Sequence, residues 1–79
     1  MGKILITGVA GLLGSRLADW IIENTNFDVV GVDDLSGGYA ENINKKVNFY
    51  NFNLTNLERL KEVFKKENIE IVYHFVAYA

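Results

Sequence analysis

A short apolar run that breaks on a glycine and restarts as a helix constrains this chain more than any other feature. Ile4-Leu5-Ile6 reads as a strand, and Gly8, Gly11 and Gly14 follow it at intervals of three as helical periodicity sets in. A glycine turn lets backbone N–H groups approach an anion closely. The helix behind it directs its unsatisfied N–H groups and the positive end of its dipole at the same point. In this reading Gly8 permits the tight turn, Gly11 leaves room for a pyrophosphate against the backbone, and Gly14 lets the helix sit close to the strand. A glycine triplet alone is weak, because turn and packing glycines look the same. This one follows a strand, opens a helix, and is followed by Asp33 at the end of the next strand, 19 positions beyond Gly14. A carboxylate there accepts hydrogen bonds from ribose 2′- and 3′-hydroxyls and repels a 2′-phosphate, and Asp34 adds to the repulsion. The motif therefore predicts a dinucleotide site that takes NAD in preference to NADP. Arg16 and Lys45, the nearest cations, read as exposed surface charges.

The rest of the chain alternates in type. Gly11 to about Asn24 predicts a helix whose face is Leu13, Leu17, Trp20 and Ile21, with small Gly14 and Ala18 beside it. Asn24-Thr25-Asn26 ends it. Asp28 to Asp33 is a second strand, apolar enough to be buried on both faces of a parallel sheet. Asp34-Leu35-Ser36-Gly37-Gly38 is a loop, Tyr39 to Asn44 is ambiguous with a helical turn as one choice, and Val47 to Phe52 is a third strand. Thr55 and Glu58 have the spacing of a capping box ahead of a helix with Leu57, Leu60, Val63 and Phe64 as its apolar face, closed by Asn68. Ile69 to Phe75 is the fourth strand. Alternating strands and helices imply an α/β, Rossmann-like fold: a partial doubly wound parallel sheet of about four strands in the order 3-2-1-4, filling residues 1–79 as one domain.

Bulk properties narrow the function classes. A chain of 79 residues buries roughly 60% of its unfolded surface, so its core is marginal. The net charge of −2 and the lack of any basic block speak against nucleic acid as a partner. Tyr50, Phe52, Tyr73 and Phe75 alternate on strands and read as core rather than as a base-stacking platform. No cysteine is present, which removes disulfides and thiolate metal sites and fits a reducing, cytoplasmic setting. The apolar run from Ile4 to Leu13 is interrupted by glycines and followed by Arg16 and Asp19, unlike a signal peptide, and no stretch approaches a membrane span.

Three stretches carry a family resemblance. Thr7-Gly8-Val9-Ala10-Gly11-Leu12-Leu13-Gly14-Ser15-Arg16-Leu17, Val32-Asp33-Asp34-Leu35-Ser36-Gly37-Gly38 followed by Glu41-Asn42-Ile43, and the close Val72-Tyr73-His74-Phe75-Val76-Ala77-Tyr78-Ala79 resemble the NAD-dependent epimerase/dehydratase family of extended short-chain dehydrogenases/reductases, which act on nucleotide sugars. Within it they are most similar to the UDP-glucose 4-epimerases. The resemblance spans the whole chain and about the first quarter of such an enzyme. It implies that backbone groups at Gly11, Leu12 and Leu13 meet the pyrophosphate and that Asp33 holds the adenosine ribose. It further implies that Asp34, Leu35, Ser36 and Gly38 line the adenine end. Asn53 and Leu54 match an Asp-Ile/Leu pair whose carboxylate meets the adenine amino group, with the asparagine carbonyl oxygen as acceptor here. Phe75, Val76 and Ala77 would lie under the nicotinamide-side ribose, Val76 standing where the family usually has alanine.

The family's acid/base is a tyrosine with a lysine four residues later, the lysine and the cofactor charge lowering the tyrosine pKa. Four positions after Tyr39, Tyr50 and Tyr73 stand Ile43, Leu54 and Ala77, so no Tyr-x-x-x-Lys exists in this sequence. His74, the single histidine, lies in an apolar strand and reads as a core or supporting residue rather than a base. Ser15 and Ser36 have no base partner, and the acidic residues are too scattered for a metal site. Two functions stay open, the NAD-binding N-terminal portion of a nucleotide-sugar epimerase or dehydratase, as a truncated or split gene product that a complementing chain could complete, and a standalone nucleotide-binding or regulatory module; a third and weaker reading is a non-functional, marginally folded remnant. The apolar close at Ala79 reads as an interrupted fold.

Overall fold

The computed structural model describes residues 2–76. Its elements are β1 (Lys3–Thr7), α1 (Leu12–Asn24), β2 (Asp28–Asp33), a 3₁₀ turn (Ala40–Asn42), β3 (Asn48–Asn51), α2 (Leu57–Glu67) and β4 (Ile69–His74). The sheet is parallel throughout, in the order β3-β2-β1-β4. This is the topology the alternating pattern predicts, and the ambiguous stretch after Gly38 contains the 3₁₀ turn.

Period-two alternation divides the core into two layers. Ile4, Ile6 and Val29 point to the α1 side and pack with Val9, Ala18, Ile21 and Val47. Leu5, Val30 and Val32 point to the α2 side and pack with Phe52 and Val63. The two strands between β3 and β4 are therefore buried on both faces, which is why their sequences are nearly continuous apolar runs.

Both helices present a rotated face relative to expectation. In α1 the buried residues are Gly14, Ser15, Ala18 and Ile21, while Leu13 is 67% exposed and Trp20 59% exposed. The small residues face inward because α1 sits close against the turn after β1, where a leucine or tryptophan would not fit. In α2 the buried residues are Val63 and Glu67, and Leu57 and Phe64 are exposed. Tyr73 and Phe75 are also exposed rather than core, because β4 is an edge of the sheet among the described residues.

The buried Glu67 is unexpected from sequence. Its carboxylate accepts from Lys3 Nζ at 2.8 Å, from Asn48 Nδ2 at 2.8 Å and from the Tyr50 hydroxyl, tying the end of α2 to β1 and β3. These partners hold its carboxyl below the usual glutamate range, the Lys3 bond contributing most and the Tyr50 bond next.

The capping-box reading of Thr55 and Glu58 is corrected by the structure. Asn56 is the N-cap of α2, its Oδ1 accepting from Arg59 N at 3.3 Å, whereas the Thr55 hydroxyl donates to Asn53 Oδ1. Asn68 closes α2 in the left-handed region at φ 54°. Asn56→Ala is expected to cost about 1 kcal/mol and Thr55→Ala less. Urea midpoints of the two variants check this.

Candidate functional site

The site is built at the C-terminal ends of β1 and β2. Gly8 leaves β1 at φ +74°, a conformation that a side chain would strain, and its N–H donates to Val32 O at 2.8 Å. Its carbonyl accepts from Gly11 N at 3.1 Å, closing the turn. Gly11 is the N-cap of α1, with no side chain capping the helix and no acidic residue in the first turn. The first-turn N–H groups of α1 therefore keep the open donors and positive potential that suit an anion. Leu12 and Leu13 stand exposed there. At Gly14 an added Cβ would overlap the Gly8 carbonyl oxygen, so this glycine sets how close the helix comes to the turn.

Asp33 organises the turn as well as facing it. Its Oδ2 accepts from Ala10 N at 2.9 Å and its Oδ1 from Leu35 N at 2.8 Å. The Ala10 carbonyl in turn accepts from Asn42 Nδ2 at 3.1 Å. The two peptide groups that flank the Ala10 Cα are thus each held, one by the second strand and one by the segment after it. Gly38 packs against the same carbonyl, where a Cβ would overlap the oxygen. Leu35 takes a positive φ of 64° in this loop.

Asp34 accepts from Ser36 N at 3.0 Å, from Ser36 Oγ at 2.6 Å and from Asn53 Nδ2 at 3.0 Å. The Ser36 bonds, hydroxyl first, hold its carboxyl below the ordinary aspartate value. On the opposite wall, the Thr7 hydroxyl accepts from Phe75 N at 3.1 Å and pairs with His74 Nδ1 at 2.7 Å. His74 is exposed, so it supports the end of β4 rather than filling a core position.

These elements enclose a cleft of about 360 Å³ lined by Gly8, Gly11, Asp33, Asp34, Ser36, Gly37, Phe75 and Val76. Of the expected site residues, Gly8, Gly11, Asp33, Asp34, Ser36, Phe75 and Val76 line it. Asn53 donates to Asp34, and its Oδ1 accepts from the Thr55 N–H and hydroxyl. Leu54 packs with the α2-side core instead of lining the cleft. Ala77 lies outside the described residues. Ala10, Gly37 and Asn42 are additions that sequence reasoning did not single out. Asn42 acts on a main-chain oxygen 32 positions away, a target no local pattern marks. A larger groove of about 640 Å³ runs along α2, but its lining is almost wholly apolar apart from two lysines. Convergent polar groups make the smaller cleft the candidate ligand site.

Residues 4–79 match the NAD dependent epimerase/dehydratase family. The chain belongs to that family. It is 40% identical over 74 residues to a putative UDP-glucose 4-epimerase of Methanocaldococcus jannaschii, covering 94% of this chain and 24% of the relative. The structure of a UDP-glucose 4-epimerase from Thermotoga maritima, solved with UDP-glucose, superposes with a TM-score of 0.92 at 39% identity, covering 98% of this chain and 25% of that one. A UDP-glucose 4-epimerase from Thermus thermophilus, in complex with NAD, gives a TM-score of 0.89 at 30% identity, covering 98% and 24%. The chain thus spans about a quarter of the length of these relatives and corresponds to the N-terminal Rossmann-fold portion of the family. No helix among the described residues is long and apolar enough to cross a membrane.

Proposed function

We propose that residues 1–79 form the part of a nucleotide-sugar epimerase or dehydratase that holds the adenosine and pyrophosphate of NAD. The catalytic groups would come from a complementing polypeptide that carries the remainder of the family fold. One observation carries the reading: the uncapped start of α1 and the Asp33 carboxylate face one cleft, and Asp33 itself clamps the turn between them. The residues present fit a dinucleotide. Gly14 and Gly38 admit no Cβ, so α1 and the loop after β2 pack directly on the backbone of the turn and hold it beside the cleft. Each oxygen of Asp33 accepts one backbone N–H and keeps a lone pair for a ribose hydroxyl. The Thermus thermophilus relative in complex with NAD supports the choice of ligand.

In this assignment the backbone at Gly11, Leu12 and Leu13 meets the pyrophosphate, with the N–H groups of Leu12 and Leu13 as donors, since that of Gly11 already donates to the Gly8 carbonyl. Asp33 orients the ribose. Asp34, Leu35, Ser36 and Gly38 shape the adenine end, with Asn53 and Leu54 behind them. Phe75 and Val76 form the wall toward the nicotinamide. The chemistry that bound NAD supplies is hydride removal from, and return to, a sugar carbon; this chain's residues bind and orient. The absence of cysteine fits a cytoplasmic setting.

Calorimetric titration tests the reading. NAD is expected to bind, and NADP on the order of tenfold more weakly or worse, since a 2′-phosphate would meet Asp33 and Asp34. Asp33→Ala should abolish the preference and also lower stability by about 2 kcal/mol, because the N–H groups of Ala10 and Leu35 lose their acceptor. Folded protein that binds no NAD, or prefers NADP, would overturn the assignment.

A further inference from the structure

The peptide group that joins Ala10 to Gly11 leads directly into the open donors of α1, and a segment remote in sequence holds it. Its N–H, that of Gly11, donates to the Gly8 carbonyl at 3.1 Å, and its oxygen accepts from Asn42 Nδ2 at 3.1 Å. Only the NH₂ of an asparagine can serve a carbonyl oxygen, which fixes the orientation of the Asn42 amide. Gly38 lies against the same group: a Cβ there would stand 2.4 Å from the Ala10 oxygen and 2.9 Å from Gly11 N. Ala10 is fully buried, so its carbonyl depends on Asn42 rather than on solvent. Gly11 is the N-cap of α1, and its own carbonyl accepts the first helical bond, from Ser15 N at 2.9 Å. The N–H groups of Leu12 and Leu13 come next. Glycine offers little resistance of its own to backbone rotation, so the plane of the Ala10–Gly11 peptide decides where those two donors point.

Asn42 is presented from a well-anchored place. Its N–H donates to Tyr39 O at 3.0 Å and that of Ile43 to Ala40 O at 3.1 Å, closing the 3₁₀ turn. Ile43 packs on the α1-side core, and Asn44 Nδ2 donates to Asp19 Oδ1 of α1 at 2.9 Å. The segment thus has two asparagine ties of different kinds. Asn44 joins one side chain to another, and neither residue of that pair lines the cleft. Asn42 acts on the main chain of the turn itself. We infer that Asn42 is a positioning residue for the dinucleotide: by holding the Ala10 oxygen it aims the N–H groups of Leu12 and Leu13 at the pyrophosphate, without itself lining the cleft. The inference rests on the assignment of the cleft to NAD.

The test compares Asn42→Ala and Asn44→Ala in the full 79-residue chain, each titrated with NAD, ADP and adenosine. Asn42→Ala is expected to bind NAD and ADP on the order of tenfold more weakly, the effect of one lost hydrogen bond, and adenosine as the parent does. Asn44→Ala should lower the urea midpoint and leave all three affinities in place. In ¹H–¹⁵N spectra of the ligand-free proteins, the Leu12 and Leu13 amide resonances should move in Asn42→Ala and stay put in Asn44→Ala. Where the alanine variant fails to fold, Asn42→Asp keeps the shape and removes the donor. It should give the same division between ligands at high salt, where its repulsion of the phosphates is screened. Were Asn42 only a tether for its segment, the two alanine variants would behave alike, and that result overturns the inference. So does an equal loss for adenosine and NAD. Parent-like NAD affinity in Asn42→Ala removes this inference alone, whereas a folded parent that binds neither NAD nor ADP removes the functional proposal and the inference with it.

Discussion

Gly14→Ala is expected to unfold the turn that begins the site, although alanine is the better helix former. Relief of glycine's helix penalty would stabilise α1 by about 1 kcal/mol. Against this, the new Cβ would overlap the Gly8 carbonyl oxygen and stand 2.9 Å from its carbonyl carbon and 3.1 Å from Val9 Cα. All three atoms are backbone, so no rotamer change relieves the overlap and either the turn or α1 must shift. Overpacking of this kind costs typically about 1–3 kcal/mol and sometimes more. With a backbone obstacle the upper end applies, so a net loss of about 2 kcal/mol remains after the propensity gain. The measurable result is a lower urea midpoint together with at least an order-of-magnitude loss of NAD affinity, because the first turn of α1 moves off the cleft. Gly37→Ala serves as the stability control, since nothing lies within 4 Å of its added Cβ. Equal urea midpoints for the two variants would show that close approach at Gly14 is not what positions the helix.

Glu67→Gln is expected to cost about 2 kcal/mol and to remove a specific acid sensitivity. The carboxylate is surrounded by donors from Lys3, Asn48 and Tyr50. A glutamine keeps one acceptor oxygen but turns an NH₂ toward that ring of donors, so the isosteric change is not a mild one. The cost stays below that of a fully buried pair because Lys3 is partly exposed and can be hydrated. The sign of the pH effect follows from the lowered carboxyl pKa. The unfolded chain holds a proton on Glu67 at pH values where the folded protein does not, so stability rises with pH through that window. The contribution is complete above the unfolded value of about 4.3 and is lost as pH falls through the folded value. Lys3 has the opposite sense: its amine is raised, chiefly by the Glu67 bond, and its contribution fades only as pH rises through that raised value. Thermal melts of the parent should therefore decline steeply below about pH 4. The Glu67→Gln variant should show a lower but flatter profile there. Parallel acid profiles for the two proteins would contradict the role assigned to this cluster.

The legible parts of the fold and site are those that local spacing encodes. Strand and helix positions, the parallel order β3-β2-β1-β4 and the glycine turn were all readable, because period-two and helical repeats and the punctuation of Gly8 and Asn68 act within a few residues. Helix rotation was less legible. Leu13 and Trp20 satisfy helical spacing as well as Ala18 and Ile21 do, and only the closeness of α1 to the turn favours the small side chains. The cap of α2 was misread by one position because Thr55 and Asn56 are both good caps. Thr55 is occupied by Asn53, which leaves the role to Asn56.

Membership in a dinucleotide-binding family was already written in Gly8, Gly11, Gly14 and Asp33, since a short turn followed by a helix needs few residues and no distant partner to be recognised. Only the tertiary structure decided that Asp33 and Asn42 grip the two peptide groups flanking Ala10, that Glu67 is buried among donors from two strands, and that β4 and α2 leave exposed apolar side chains. Each of these joins residues remote in the chain or opens a side of the sheet. Their energies come from burial and hydrogen bonding at those junctions, which spacing along the chain does not record.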